Sequence, residues 1–183
     1  MPPYSYAIMA AGWLIWLTPF LLNKRKPGPP ATLDRRARWG VLLTAVAYCL
    51  LWQGSFWGRS PELRRIAASV LFFVLASVLS WTGARALGRQ WRIDAGLNPD
   101  HELVRSGPYR LVRHPIYTSM FCLLLGTGLM LTTPFPLLLL SIVLFAIGTE
   151  IRVRIEDRLL AARFGDQFLD YRRRVPAFFP FLK

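Results

Sequence analysis

The chain has 183 residues, 54% of them hydrophobic and 18% charged, with a net charge of +13. The apolar residues come in blocks and the charges lie between the blocks, which excludes an ordinary soluble domain and points to a membrane chain. Placed this way, the positive charge belongs to segments flanking a bilayer and not to a nucleic-acid surface.

Five apolar runs follow in chain order: Tyr6 to Leu22, Trp39 to about Phe56, Ile66 to Trp81, Ile116 to Leu131 and Phe135 to Thr149. None contains Asp, Glu, Lys, Arg or His. A bilayer core of about 30 Å takes roughly 20 helical residues, with a lower limit near 17. The first three runs reach that limit with their flanks and form an N-terminal three-helix membrane region, residues 1–82. The last two are short and joined only by Thr132-Thr133-Pro134. They predict a tight helical hairpin that turns at Pro134 and Pro136. Cys49 and Cys122 both fall inside runs, with no CxxC or Cys/His neighbour, so they read as buried structural thiols and not as a disulfide or zinc site.

Charge between the runs sets the expected topology. Segments 23–38, 83–115 and the tail from Glu150 hold six, six and eight Lys and Arg; segment 57–65 holds three and the turn of the hairpin none. Alternating sides therefore carry 20 and 3 basic residues. The positive-inside rule places the N-terminus outside and the C-terminus in the cytosol. The first run lacks a basic leader and reads as an anchor and not a cleaved signal peptide. With no retention or transit signal in view, a prokaryotic inner membrane is the expected home. The fold expected is an all-α polytopic bundle of about five transmembrane helices with cytosolic C-terminal helices.

In the tail, Ile151, Ile155, Leu159, Phe164, Phe168 and Tyr171 recur at near-helical spacing. Gly165 is placed to end one helix and start another. Pro176 and Pro180 then break helicity among Phe178, Phe179 and Phe181, an aromatic end suited either to the headgroup region or to packing on the bundle.

Two polar constellations flank the hairpin on the expected cytosolic side. The first runs from Arg105 to Tyr117. Gly107-Pro108 signals a turn, and Pro115 suits the first turn of a helix. His114 then sits at a helix mouth beside free backbone N–H groups, where anionic groups are favoured. An interfacial anchor of Arg and Tyr is the competing reading. The second constellation is Glu150, Arg152, Arg154, Glu156 and Asp157, with i,i+4 pairs Glu150–Arg154 and Arg152–Glu156. Solvated ion pairs are worth little, yet five charges at a helix end on a membrane surface suggest ligand contacts. The hairpin brings both constellations to one face. Only two histidines occur, His101 and His114, with no ligand spacing for a metal, and no glycine-rich dinucleotide or phosphate loop is present. The runs also lack the ionisable groups a transporter or channel needs.

The pattern Gly107-Pro108-Tyr109-Arg110-x-x-Arg113-His114-Pro115-x-Tyr117, a hydrophobic hairpin and then Glu156-Asp157 resembles the isoprenylcysteine carboxyl methyltransferase and phospholipid methyltransferase superfamily. The tail from Phe164 to Pro176 resembles that of its prokaryotic members. The resemblance covers roughly Val104 to Pro180. Two departures are visible: Ser119 stands where the family often has Gly, and Glu156-Asp157 where it usually has Glu-Glu.

The resemblance implies a multi-span helical enzyme that uses S-adenosylmethionine (SAM), with residues 83–183 as its SAM-binding catalytic region. The pocket would be cytosolic, roofed by the C-terminal helices and open sideways to lipid. Tyr109, His114, Pro115, Tyr117, Glu156 and Asp157 would line the cofactor site. Arg113, Arg152 and Glu156 would act in catalysis, with Arg113 or Arg152 pairing a carboxylate. The acceptor would be lipid-like: an isoprenylcysteine carboxylate, with a phospholipid amine or a small thiol as alternatives. A membrane assembly protein without activity is the competing class.

Overall fold

The computed structural model describes residues 1–22, 32–55 and 58–179. Among the described residues six α-helices carry the fold: α1 (Pro3–Leu22), α2 (Ala37–Leu51), α3 (Leu63–Leu87), α4 (Pro115–Met130), α5 (Phe135–Phe164) and α6 (Asp166–Arg174). Each apolar run has become one helix. The stretches Pro3–Leu22, Leu63–Gln90 and Phe135–Phe164 are long and apolar enough to cross a membrane. At 15 and 16 residues, α2 and α4 are shorter. The second run was expected to end at Phe56, which lies outside the described residues; helix α2 stops at Leu51. The molecule is an all-α helical bundle whose two-residue strands, β1 (Thr32–Leu33) and β2 (Gly96–Leu97), pair antiparallel across two connections.

The helices alternate in direction, and small residues set their spacing, as membrane helices require without a hydrophobic drive between them. Helix α4 runs antiparallel to α3: Ser69 Oγ donates to the Gly126 carbonyl at 2.6 Å, and Gly83 faces Pro115 and Ile116 at the other end. Helix α2 runs antiparallel to α5. A Cβ at Gly148 would come within 2.7 Å of the Gly40 carbonyl oxygen, so two backbones touch there. Phe73 of α3 wedges between Gly12 of α1 and Gly126 of α4. This packing builds a core of Met9, Ala47, Leu51, Phe73, Leu123, Leu124 and Phe145.

Three expectations need correcting. The hairpin turn is where it was expected, but its arms splay: α4 packs on α3 and α5 on α2, because Gly126 and Gly148 meet those helices and not each other. The fifth helix does not stop at Thr149. No breaker intervenes, so it runs 30 residues and absorbs the first half of the tail pattern. Gly165, at φ 52°, ends it in a conformation other side chains resist, and α6 starts there as expected. Finally, Cys122 is buried but Cys49 is exposed on the outer face of α2.

Up-and-down packing brings the ends of α1, α3 and α5 and the starts of α2 and α4 to one end of the bundle. There β1 meets β2, and the Asp34 N–H donates to the Ala95 carbonyl at 3.1 Å. The two polar constellations meet at this end.

Candidate active site

The chain enters α4 through a 3-10 turn, Gly107–Arg110, that buries Tyr109. His114 is the N-cap of α4 and Pro115 its first residue, where the missing N–H leaves no unpaired donor. Across from them α5 presents Arg152, Glu156 and Asp157 as it leaves its apolar stretch. Arg113 Nη2 donates to Asp157 Oδ2 at 2.8 Å. His114 Nε2 lies 3.1 Å from Asp157 Oδ1 and its Nδ1 3.5 Å from Glu156 Oε2. The Tyr117 hydroxyl donates to Glu156 Oε1. Arg152 Nη2 donates to the same oxygen at 3.3 Å and to the Ile93 carbonyl at 2.7 Å. The Arg152 guanidinium lies over the Tyr117 ring, 5.5 Å from its centroid. Both expected i,i+4 pairs form, with Arg154 to Glu150 at 2.7 Å.

Apart from the exposed Arg154–Glu150 pair, these groups are largely out of water, and partial desolvation strengthens each contact. Burial opposes a charge on the His114 ring, and the hydrogen bonds and charges of Asp157 and Glu156 outweigh it, so its pKa is raised. Burial holds the Tyr109 hydroxyl well above its usual range and pushes Tyr171 up to about 12.

The C-terminal segment locks the cluster from behind. The N–H groups of Arg113 and His114 donate to the carbonyls of Pro176 and Ala177 at 2.8 and 3.0 Å. Arg113 Nη1 donates to the Val175 carbonyl at 2.6 Å, and Tyr171 donates to the Tyr109 carbonyl at 2.6 Å. Phe178 packs near His114 and Phe179 edge-on to Phe121, at 6.3 and 5.8 Å between centroids. The aromatic end thus packs on the bundle as far as it is described; Pro180 and Phe181 lie outside the described residues.

A cavity of about 880 Å³ opens in front of the cluster. Tyr109, Arg113, His114, Tyr117, Arg152 and Glu156 reach its wall. Two expected site residues do not. Pro115 packs toward Gly83 of α3, and Asp157 faces Arg113 and His114. The remaining wall includes residues that carried no motif. From the α3–α4 connection come Trp91, Arg92, Asp94 and His101; from α1 come Trp13, Trp16 and Phe20; from α2 comes Tyr48. Asp94 is held by Arg92 at 2.7 and 3.0 Å, and that hydrogen bond lowers its pKa. Burial lowers the pKa of His101. The one signal for these residues was the polar, tryptophan-bearing character of a connection between two apolar runs.

The arrangement offers two things to a ligand. Carboxylates at Glu156 and Asp94 suit positive charge, and three buried nitrogens of wall residues, Arg113 Nε, Arg152 Nε and His101 Nδ1, have no hydrogen-bond partner among the described residues. The model of the isoprenylcysteine carboxyl methyltransferase (ICMT) family matches residues 69–162, just over half of the chain. The protein-S-isoprenylcysteine O-methyltransferase of Schizosaccharomyces pombe is 29% identical, over 98% of this chain and 86% of that protein. The cobalt-zinc-cadmium resistance protein CzcN of Cupriavidus metallidurans is 36% identical, over 81% of this chain and 65% of that protein. The rat isoprenylcysteine O-methyltransferase is 31% identical over 70% of this chain, which spans under half of the rat protein. The family match spans α4 and the charged part of α5, the two elements that meet at the cavity, and the chain belongs to the isoprenylcysteine carboxyl methyltransferase family: it is an integral membrane methyltransferase.

Proposed function

We propose that the cavity binds SAM at its polar end and transfers the methyl group to a carboxylate on a lipophilic acceptor held at its apolar end. The observation that carries this reading is a cavity lined by both kinds of group: the charged His114, Arg152, Glu156 and Asp94, and the aromatic Trp13, Trp16, Phe20 and Tyr48. Its size falls in the range of about 300–1,000 Å³ typical of small-molecule sites.

The donor set fits SAM, which when bound supplies an electrophilic methyl on a sulfonium and leaves as a neutral thioether. Glu156 and Asp94 would supply the negative charge that the cofactor's cationic groups require. Tyr117 and Arg152 hold Glu156 in one rotamer by donating to its Oε1. Arg152 keeps its Nε free to meet the acceptor carboxylate and align it. Arg113, Asp157 and Pro115 act as positioning residues: they fix the His114 ring and the start of α4. A carboxylate acceptor needs no base, which suits a site whose His114 is already engaged at both nitrogens. An amine acceptor is the second reading, favoured by His101, whose unpartnered Nδ1 would take the proton.

Transfer from labelled SAM to N-acetyl-S-farnesylcysteine and to phosphatidylethanolamine separates the two. Transfer to the cysteine carboxylate is expected, with Arg152→Ala slowing it about 100-fold, the scale of lost alignment. Transfer to the amine instead, abolished by His101→Ala, would establish the second reading.

A further inference from the structure

Three aromatic side chains of the apolar wall share a feature that the reaction does not require. Each anchors its polar atom on α4. Trp13 Nε1 donates to Thr127 Oγ1 at 3.1 Å, Trp16 Nε1 to Ser119 Oγ at 3.0 Å, and the Tyr48 hydroxyl to the Met120 carbonyl at 2.6 Å. Neither Ser119 nor Thr127 reaches the cavity wall; both are fully buried behind it. Each hydroxyl spends its own proton on α4: Ser119 donates to the Ile116 carbonyl at 2.6 Å, and Thr127 to the Leu123 carbonyl at 2.8 Å. A hydroxyl with its proton fixed this way can only accept from the outside. An indole N–H in a low-dielectric bundle cannot go unpaired without cost. The two tryptophans are therefore held in one orientation each.

The held rings do not stand alone. Trp13 meets Tyr48 at 5.4 Å and Trp16 at 6.2 Å; Trp16 meets Phe20 at 5.2 Å, and Phe20 meets Trp91 at 5.2 Å. The result is a continuous aromatic wall, with the indole N–H groups of Trp13 and Trp16 turned to α4 and ring surface left to the cavity. Such a wall has a fixed shape and favours hydrocarbon.

We propose that Ser119 and Thr127 are specificity-determining residues, setting which acceptor hydrocarbon the cavity admits by holding the indoles of Trp16 and Trp13. This rests on the reading of the apolar wall as the acceptor's seat. A Gly at 119 would remove the hydroxyl that accepts from Trp16.

The test measures binding of N-acetyl-S-farnesylcysteine and N-acetyl-S-dodecylcysteine by tryptophan fluorescence, on detergent-purified full-length protein with and without S-adenosylhomocysteine (SAH). A branched, unsaturated tail and a straight, saturated one have different shapes but similar apolar character. The wild type is expected to discriminate between them about 10-fold. Ser119→Ala and Thr127→Val should each cut that ratio at least threefold, with the SAH affinity unchanged. Trp16→Phe should cut it too, and adding Ser119→Ala to Trp16→Phe should change nothing more, because the serine acts through the indole. Equal discrimination in Ser119→Ala and wild type, or additive effects in the double variant, would overturn the proposal, as would a wild type that binds both tails alike or neither. Failure of the wild type to bind SAH would count against the cofactor reading instead; the tail measurements made without SAH judge the wall by themselves.

Discussion

His114 has a carboxylate at each ring nitrogen, Asp157 at 3.1 Å and Glu156 at 3.5 Å. The ring thereby joins two adjacent acidic residues whose charges would otherwise repel in a buried place. Arg113 completes the set, with its side chain and that of Asp157 only 10% and 11% exposed. Removing one member of such a pair leaves a charge uncompensated, at a cost of about 3–5 kcal/mol. The raised His114 pKa gives a pH dependence with a definite sign. Protonated His114 stabilises the fold; that contribution is complete below the ordinary imidazole value of about 6.5 and is lost as the pH rises through the raised one. The melting temperature of the wild type should therefore fall as the pH is taken up from 6.5, and His114→Asn should show a flatter profile from a lower start. Parallel profiles would remove His114 from this role. The sequence singled out Arg113, His114, Tyr117 and Glu156 through a motif of fixed spacing, and Arg152 through its i,i+4 pairing with Glu156 in a charged helix end. It gave His101, Asp94 and the α1 indoles no site role, since side chains that line a cavity from separate elements share no spacing at all.

At the scale of the helices, the apolar runs made α1 to α5 legible to within a few residues at most ends, because burial in lipid demands long uncharged stretches. What pairs with what was not legible. The turn at Thr132–Pro134 suggested that α4 and α5 pack together, but turn length fixes direction and not partner. Partner choice follows from glycine placement, which only three dimensions reveal: Gly40 against Gly148 ties α2 to α5, and Gly126 against Phe73 and Ser69 ties α4 to α3. Gly40→Val forces a side chain into the Gly148 backbone and is expected to destabilise the protein by about 1–3 kcal/mol. The check is a thermal melt in detergent. An unchanged melting temperature would mean that α2 and α5 do not touch there. Because α5 carries Arg152 and Glu156 just beyond this contact, the variant should also lose SAH affinity.

For the whole molecule, the described parts of the basic connections and the candidate site lie at one end of an up-and-down bundle. The all-α membrane architecture was readable from charge and hydropathy alone; the exit of α5 as a 30-residue helix was not, because its charged half looks like a separate amphipathic segment until nothing is found to break it. The same charge bias, 20 basic residues against 3, predicts that a reporter fused to the C-terminus is cytosolic. A reporter active on the other side would reverse the orientation and leave the site without access to cytosolic SAM. The central claim is that this end of the bundle is a SAM site built on Glu156. Calorimetric titration of the detergent-purified protein with SAH, beside the Glu156→Gln variant, tests it most directly. Saturable one-site binding by the wild type is expected, with at least a 10-fold weaker affinity in a variant that melts as the wild type does. No binding by the folded wild type, or equal binding by the two, would contradict it.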